Sequence, residues 1–364
     1  MKVNTIGLNS VRLNTIALNH IGEIRSGGGG SKPSPIPQWI REHVVFYYDV
    51  KKQGATNETL KESAYLQDLS GKGRRMKLNN FLFAEMSGVG GYNDNFSNWK
   101  SDSNNGVVKI ESDSSIVIQS VKIEYRGVLY QDSTKKTTLK CNITGITEEL
   151  KGKLIFRYTD AEGGKNITLE NGYFEFNSSE YEGLSGWYGF TSKQPIDNCN
   201  ITITQIPEYP GALVTDGVDD YGLVENLSSG VKMLFMTVNP MMLDRCLYDQ
   251  RFTSGWHLFA VITTSDMIAY NNYNTKGKTY INGTLNESQI SNELQNKKQI
   301  ITAINQDVNE TNSLSPNFFR IRGGGLRMKC AFYNSIAFDS IPTEADGFTE
   351  QELIDYVLTN IIGQ

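Results

Sequence analysis

Three carboxylates stand close together in the chain at Asp216, Asp219 and Asp220, within Val214-Thr-Asp-Gly-Val-Asp-Asp-Tyr221. Ca²⁺ is held by several oxygen ligands, largely from loops and acidic side chains, so these are the metal candidates of the chain. The simpler reading is an ordinary turn, because Asp-Gly and Asp-Asp pairs favour tight reversals through local hydrogen bonds. A second group, Tyr270, Asn271, Asn272 and Tyr273, lies in Ala269–Thr275. Its rings can stack on a sugar and its amides can bond to one, which makes it the candidate ligand-binding loop; an exposed hairpin is again the plainer alternative.

Catalytic groupings are missing. Glycoside hydrolysis needs two carboxylates facing one bond, and neither E-x-D-x-E nor E-x-D-x-x-E occurs; Glu170 and Glu175 are wrongly spaced for one strand face. His20, His43 and His257 are the only histidines and form no triad pattern, and no G-x-S-x-G elbow is present. Arg320–Arg327 is glycine-rich but lacks the Lys-[ST] of a phosphate loop. The expectation is a protein that is not an enzyme and carries no cofactor, with Ca²⁺ as the one candidate ion.

Charge excludes another class. The 35 Lys+Arg against 40 Asp+Glu give a net charge of -5, which offers no basic surface for nucleic acid. No apolar run is long enough to span a membrane, and asparagines interrupt every apolar stretch at the start, so no secretory leader is legible. Cys141, Cys199, Cys246 and Cys330 are widely spread, without a C-x-x-C pair, and read best as buried free thiols.

The elements that carry these residues begin with a repeat. The first 22 residues align by five, with Ile6, Val11, Ile16 and Ile21 in one column and Val3, Leu8, Leu13 and Leu18 in another, each of the latter followed by Asn. A period of five fits neither helix nor flat strand. One such segment cannot bury its own apolar stripe and orders only against other copies or a host surface. Residues 1–25 are therefore expected to be an assembly anchor, with Ile6, Leu8, Val11, Leu13, Ile16, Leu18 and Ile21 as its contact residues; the plainer alternative is a disordered tail, for which the repeat is unusually regular. Residues 26–37, rich in Gly and Pro, read as a linker.

Beyond it the pattern is short alternating runs separated by turn residues. Val121–Tyr125, Leu154–Tyr158, Tyr173–Phe176 and Asn200–Thr204 read as half-buried strands. Thr349-Glu-Gln-Glu352 is a capping box, flanked by Phe348 and Leu353 at staple positions, and Leu353, Tyr356, Val357 and Ile361 follow at helical spacing. The fold class is all-β, closed by one short C-terminal helix.

Several segments together suggest a family. Val44-Val-Phe-Tyr-Tyr-Asp-Val50, Asp68-Leu-Ser-Gly-Lys-Gly73, Lys77-Leu-Asn-Asn-Phe81, Val214–Tyr221, Tyr280-Ile-Asn-Gly283 and Phe332–Phe338 before the capped helix occur in this order. This order resembles concanavalin A-like, laminin-G-like β-sandwich domains. The resemblance implies one such sandwich in two pieces, 38–92 and 209–364, because its opening motifs and its Asp-Gly-Val-Asp-Asp-Tyr strand are separated by residues with strands of their own. Residues 93–208, with Trp99, Trp187 and Tyr188, are then expected to be a second, inserted β-sandwich, tolerated where loop ends lie close together.

A repetitive anchor, a linker and laminin-G-like sandwiches resemble head- or tail-fibre virion proteins of tailed phages, particularly crAss-like phages of Bacteroidales. The resemblance implies a virion structural protein assembled in the host cytoplasm. Its partners would be capsid or tail proteins, met through residues 1–25, and further copies of itself, with a trimer favoured. Its sandwiches would face host surface glycans. The alternative is a glycan-binding module of a bacterial surface protein.

Overall fold

The computed structural model describes residues 34–363, except 226, 228–229, 243–244, 251–257, 263–266, 269, 273–274, 287–293, 306–315 and 321–324; between 258 and 276 it describes backbone strands only. Among the described residues, 42% are in strands and 14% in helices. It divides into two compact units: unit 1 comprises Met1–Phe83, Ser87–Val89 and Gly211–Gln364, and unit 2 comprises Ala84–Met86 and Gly90–Pro210. The anchor and all but the last residues of the expected linker lie outside the described residues.

Unit 1 is built on two antiparallel sheets. The eight-stranded sheet runs in the order Thr284–Leu285, Lys278–Ile281, Gln299–Ile304, Met233–Pro240, Cys330–Phe338, Leu213–Val214 and Gly88–Val89, with Val44–Asp49 also pairing to Cys330–Phe338. The seven-stranded sheet runs Tyr65–Leu66, Met76–Asn79, Tyr221–Val224, Asn317–Phe318, Arg245–Asp249, Leu258–Ile262 and Met267–Ile268. Side chains alternate along a strand, so the central strands of the large sheet feed two cores. Phe46, Tyr48, Leu234, Met236, Ile301 and Ala337 point to an inner core shared with Met76, Leu78, Leu247, Tyr248 and Phe318 of the smaller sheet. Their neighbours Tyr47, Met233, Phe235, Ile304, Ile336 and Phe338 point the other way, into a separate cluster covered by helices. The register agrees, since Leu234 faces Ala337 while Met233 and Phe235 face Phe338 and Ile336.

Two helices supply that cover. α1, Ile36–His43, contributes Ile36, Trp39 and Ile40. The Pro-x-Pro-x-Pro stretch thus ends as a helix start, with Pro35 at the N-cap in helical geometry. Proline is tolerated there because a first-turn amide has no intrahelical partner to lose. A short helix α2, Asn57–Ser63, closes with Ala64 in the left-handed region. The C-terminal helix α3, Glu350–Val357, begins at the expected capping box: the Thr349 hydroxyl accepts from the Glu352 amide at 3.2 Å, and the Glu352 carboxylate accepts from the Thr349 amide at 2.7 Å. Leu353, Ile354 and Val357 are its buried face.

The quoted motifs have local tasks. Asp68 is buried and accepts from the amides of Tyr47, Ser70 and Arg74, tying the Asp68–Gly73 turn to the first strand. Asn282 and Gly283, at φ 51° and 84°, turn the hairpin between Lys278–Ile281 and Thr284–Leu285; both central residues of such a turn need positive φ.

Unit 2 has two five-stranded antiparallel sheets. One runs Gly163–Thr168, Leu154–Asp160, Trp187–Ser192, Leu129–Asp132 and Lys100–Ser101; the other runs Gly172–Asn177, Thr138–Thr144, Ile201–Gln205, Ser115–Val121 and Gly106–Ser112. A single core fills the space between them, with Trp99, Phe156, Phe174, Phe176, Tyr188 and Phe190 at its centre. Trp187 is half-buried against Tyr130, ring centroids 5.7 Å apart. Strands form over Leu154–Asp160, Gly172–Asn177 and Ile201–Gln205 as the alternation predicts. Val121–Tyr125 does not form one. The strand there is Ser115–Val121, after which the amides of Lys122 and Ile123 bond to Asn105 O and Tyr125 takes φ 56°. Ile123 and Tyr125 are exposed, so their alternation has no core to face. All four cysteines are free.

Candidate functional site

The acidic turn of unit 1 is the one sequence-predicted group whose side chains are described together. It links the short strand Leu213–Val214 of the large sheet to Tyr221–Val224 of the smaller one. Thr215 starts it, donating its hydroxyl to Met328 O at 2.6 Å and accepting from the Cys330 amide at 3.0 Å. Asp216 then folds the turn on itself, its Oδ1 accepting from the amides of Val218 at 2.7 Å and Asp219 at 3.2 Å. Gly217 sits at φ +77°, and a Cβ there would come within 2.9 Å of Lys329 Cβ. The position therefore demands glycine on conformation and on space. From outside, Asn80 Nδ2 donates to Asp219 O at 3.1 Å and the Arg327 guanidinium donates to Val218 O.

This geometry brings one oxygen of each of Asp216, Asp219 and Asp220 within 4.8 Å of the others. Asp216 and Asp219 are half-buried, while Asp220 is fully buried. Asp220 Oδ2 accepts from the Asp216 amide at 2.9 Å, and its Oδ1 has no hydrogen-bond partner. Leaving a buried acceptor unmet costs about 1–3 kcal/mol, and more for a charged group. Burial pushes the Asp220 carboxyl up to about 7; the Asp216 amide and the Ser87 hydroxyl oppose the rise, and the charges of Asp216 and Asp219 add to it. Immediately after the turn, Tyr221 lies under the Arg320 guanidinium, 3.1 Å from carbon to ring centroid. Chemically, the arrangement is a set of hard anionic oxygens suited to a cation and without a nitrogen or sulfur donor.

The other candidates divide differently. Tyr270, Asn271 and Asn272 form a short strand paired with Thr275–Lys276, and Tyr273 lies outside the described residues. Ile6, Leu8, Val11, Leu13, Ile16, Leu18 and Ile21 also lie outside them. Sequence reasoning missed Asn80, Ser87 and Arg327. Each reaches the acidic turn from far along the chain, and no local pattern marks such residues.

Comparison of the chain with family models, with curated proteins and with solved structures gave no match in any of the three.

Proposed function

We propose that this protein is a structural component of a tailed-phage virion, a head or tail fibre held to the particle by residues 1–25 and projecting its β-sandwiches toward host glycans. The observation that carries the reading is the five-residue repeat of the first 22 residues. A segment of branched apolar residues too short to bury its own stripe needs partners, and a particle surface or a symmetric oligomer supplies them. Two sandwich units, each with its own core, follow in the same chain, which suits a projecting body. In favour of a laminin-G-like unit 1 stand its first strand, the Asp68 turn, the Asn282-Gly283 hairpin and the capped helix, in the order the resemblance implies.

Deleting residues 1–25 tests the attachment. The shortened protein should keep its β-rich circular dichroism and be missing from purified particles; incorporation at the normal level would end the reading. Glycan-array binding by the full chain tests the adhesive role, and an array blank for every host glycan leaves the sandwiches as decoration only.

A further inference from the structure

The acidic turn points past attachment and adhesion, to an ion. One oxygen from each of three carboxylates converges within 4.8 Å. Among the described residues, none of the three is in an ion pair. Arg327, one of the cations beside this turn, donates to Val218 O and, among the described residues, to no carboxylate. The convergence is also fixed, because Gly217 is hemmed in by Lys329 and Met242 and the turn's carbonyls are held by Asn80 and Arg327.

The second observation is independent of that crowding. Asp220, the buried member of the three, has an Oδ1 without any partner in the protein. The Asp216 amide occupies the other oxygen. A ligand that met Oδ1 while lying among the three side chains would need to be small, and positive enough to offset them.

Oxygen-only donors select a hard divalent cation. Geometry then separates the two common ones, because Mg²⁺ demands a near-ideal octahedron while Ca²⁺ accepts an irregular shell. Two oxygens on one ion stand no farther apart than twice the ion–oxygen distance, about 4.6–5.2 Å for Ca²⁺ and about 4.0–4.2 Å for Mg²⁺. The three oxygens all lie within 4.8 Å of one another, inside the Ca²⁺ limit, and three carboxylates supplied by one short turn suit its flexible shell. Half-buried Asp216 and Asp219 leave room for water to complete the shell. We propose that Asp216, Asp219 and Asp220 form a Ca²⁺ site that pins the connection between the two sheets of unit 1. This site stands apart from the fibre reading and holds whether or not the chain attaches to a particle.

The test uses the full chain stripped with EDTA. Saturating Ca²⁺ should raise the melting temperature of unit 1 by about 2–4 °C. Tb³⁺ should give emission sensitised through Tyr221, next to the buried ligand, and Ca²⁺ should displace it. Asp219→Asn is the informative variant, because the Asp219 carboxylate takes no part in the hydrogen bonds that shape the turn. It should fold as the parent does and lose about tenfold or more in Ca²⁺ affinity, since ligand charge sets affinity at such sites. The proposal fails if Ca²⁺ moves neither the melting temperature nor the Tb³⁺ emission, or if Asp219→Asn binds as tightly as the parent. Equal stabilisation by Mg²⁺ at the same concentration would overturn the choice of Ca²⁺.

Discussion

The large sheet of unit 1 and the sheets of unit 2 solve the burial of a β-surface in different ways. Met233–Pro240 is buried at every one of its positions and Cys330–Phe338 at all but Tyr333, because the smaller sheet covers one face and α1 and α3 cover the other. In unit 2, Thr138–Thr144 alternates, with Leu139, Cys141 and Ile143 inside and Lys140 and Asn142 outside. One architecture has two apolar layers and the other has one. A strand covered on both faces carries a continuous apolar run, and a strand covered on one face alternates. The difference lies in the helices, and the strands merely record it.

The strongest way to break this comparison is to remove the cover. Deleting residues 349–363 strips Leu353, Ile354, Val357, Ile361 and Ile362 from the outer cluster. It should expose Met233, Phe235, Ile336 and Phe338 and turn unit 1 into a dye-binding, aggregating species. If the shortened protein binds no more hydrophobic dye than the parent, the second layer does not stabilise the sheet. Single residues probe the same contrast less severely. Trp39 packs on Phe338 and Phe348 at ring-centroid distances of 5.4 and 5.8 Å, and Phe156 packs on Phe176 and Phe190 at 4.6 and 5.2 Å. Replacement of either by Ala should cost about 3–5 kcal/mol, read as faster hydrogen exchange within the same unit. A much smaller loss for Trp39→Ala than for Phe156→Ala would mark the helical layer as accessory.

Removing the cap is milder. Thr349→Ala should cost about 1 kcal/mol, seen as a lower denaturation midpoint with unchanged slope. Acid gives the smallest effect and sharpens the comparison from the other side, because both units carry exposed carboxylates of the same kind. The Thr349 amide holds Glu352 below its ordinary range in unit 1, and the Thr134 amide does the same for Asp132 in unit 2. A folded-state pKa below the unfolded one gives stability that is present above the unfolded value and lost as pH falls through the folded one. Stability should therefore decline below the ordinary carboxylate range in both units. NMR titration of the two carboxyl carbons checks this, and an unshifted midpoint for Glu352 would remove the cap's charge from the account.

Much of this was legible in the chain. Alternation marked the strands of unit 2 well, since one covered face is the condition under which alternation carries information. The capping box at Thr349 was readable because every participant lies within four residues. Val121–Tyr125 misled because an alternating run says nothing about whether a core stands opposite it. α1 was overlooked although Ile36, Trp39 and Ile40 have helical spacing, because the prolines around them suggested an extended spacer. At the acidic turn, the three aspartates were visible in sequence. The buried state of Asp220 was not, since Ser87, which meets it, arrives from a distant segment.

Gly88–Val89 and Leu213–Val214 lie side by side as antiparallel partners, Val89 opposite Leu213 and Gly88 opposite Val214. The chain therefore departs from unit 1 and returns to it at adjacent points of one ladder. To unit 1, the segment Gly90–Pro210 is a hairpin loop of arbitrary length, and the closure entropy of such a loop grows only slowly with length. A lineage carrying this gene can exchange, lengthen or discard the intervening segment by recombination at two codon positions without redesigning the sheet that receives it. What varies between descendants should then be the passenger, while the socket stays constant.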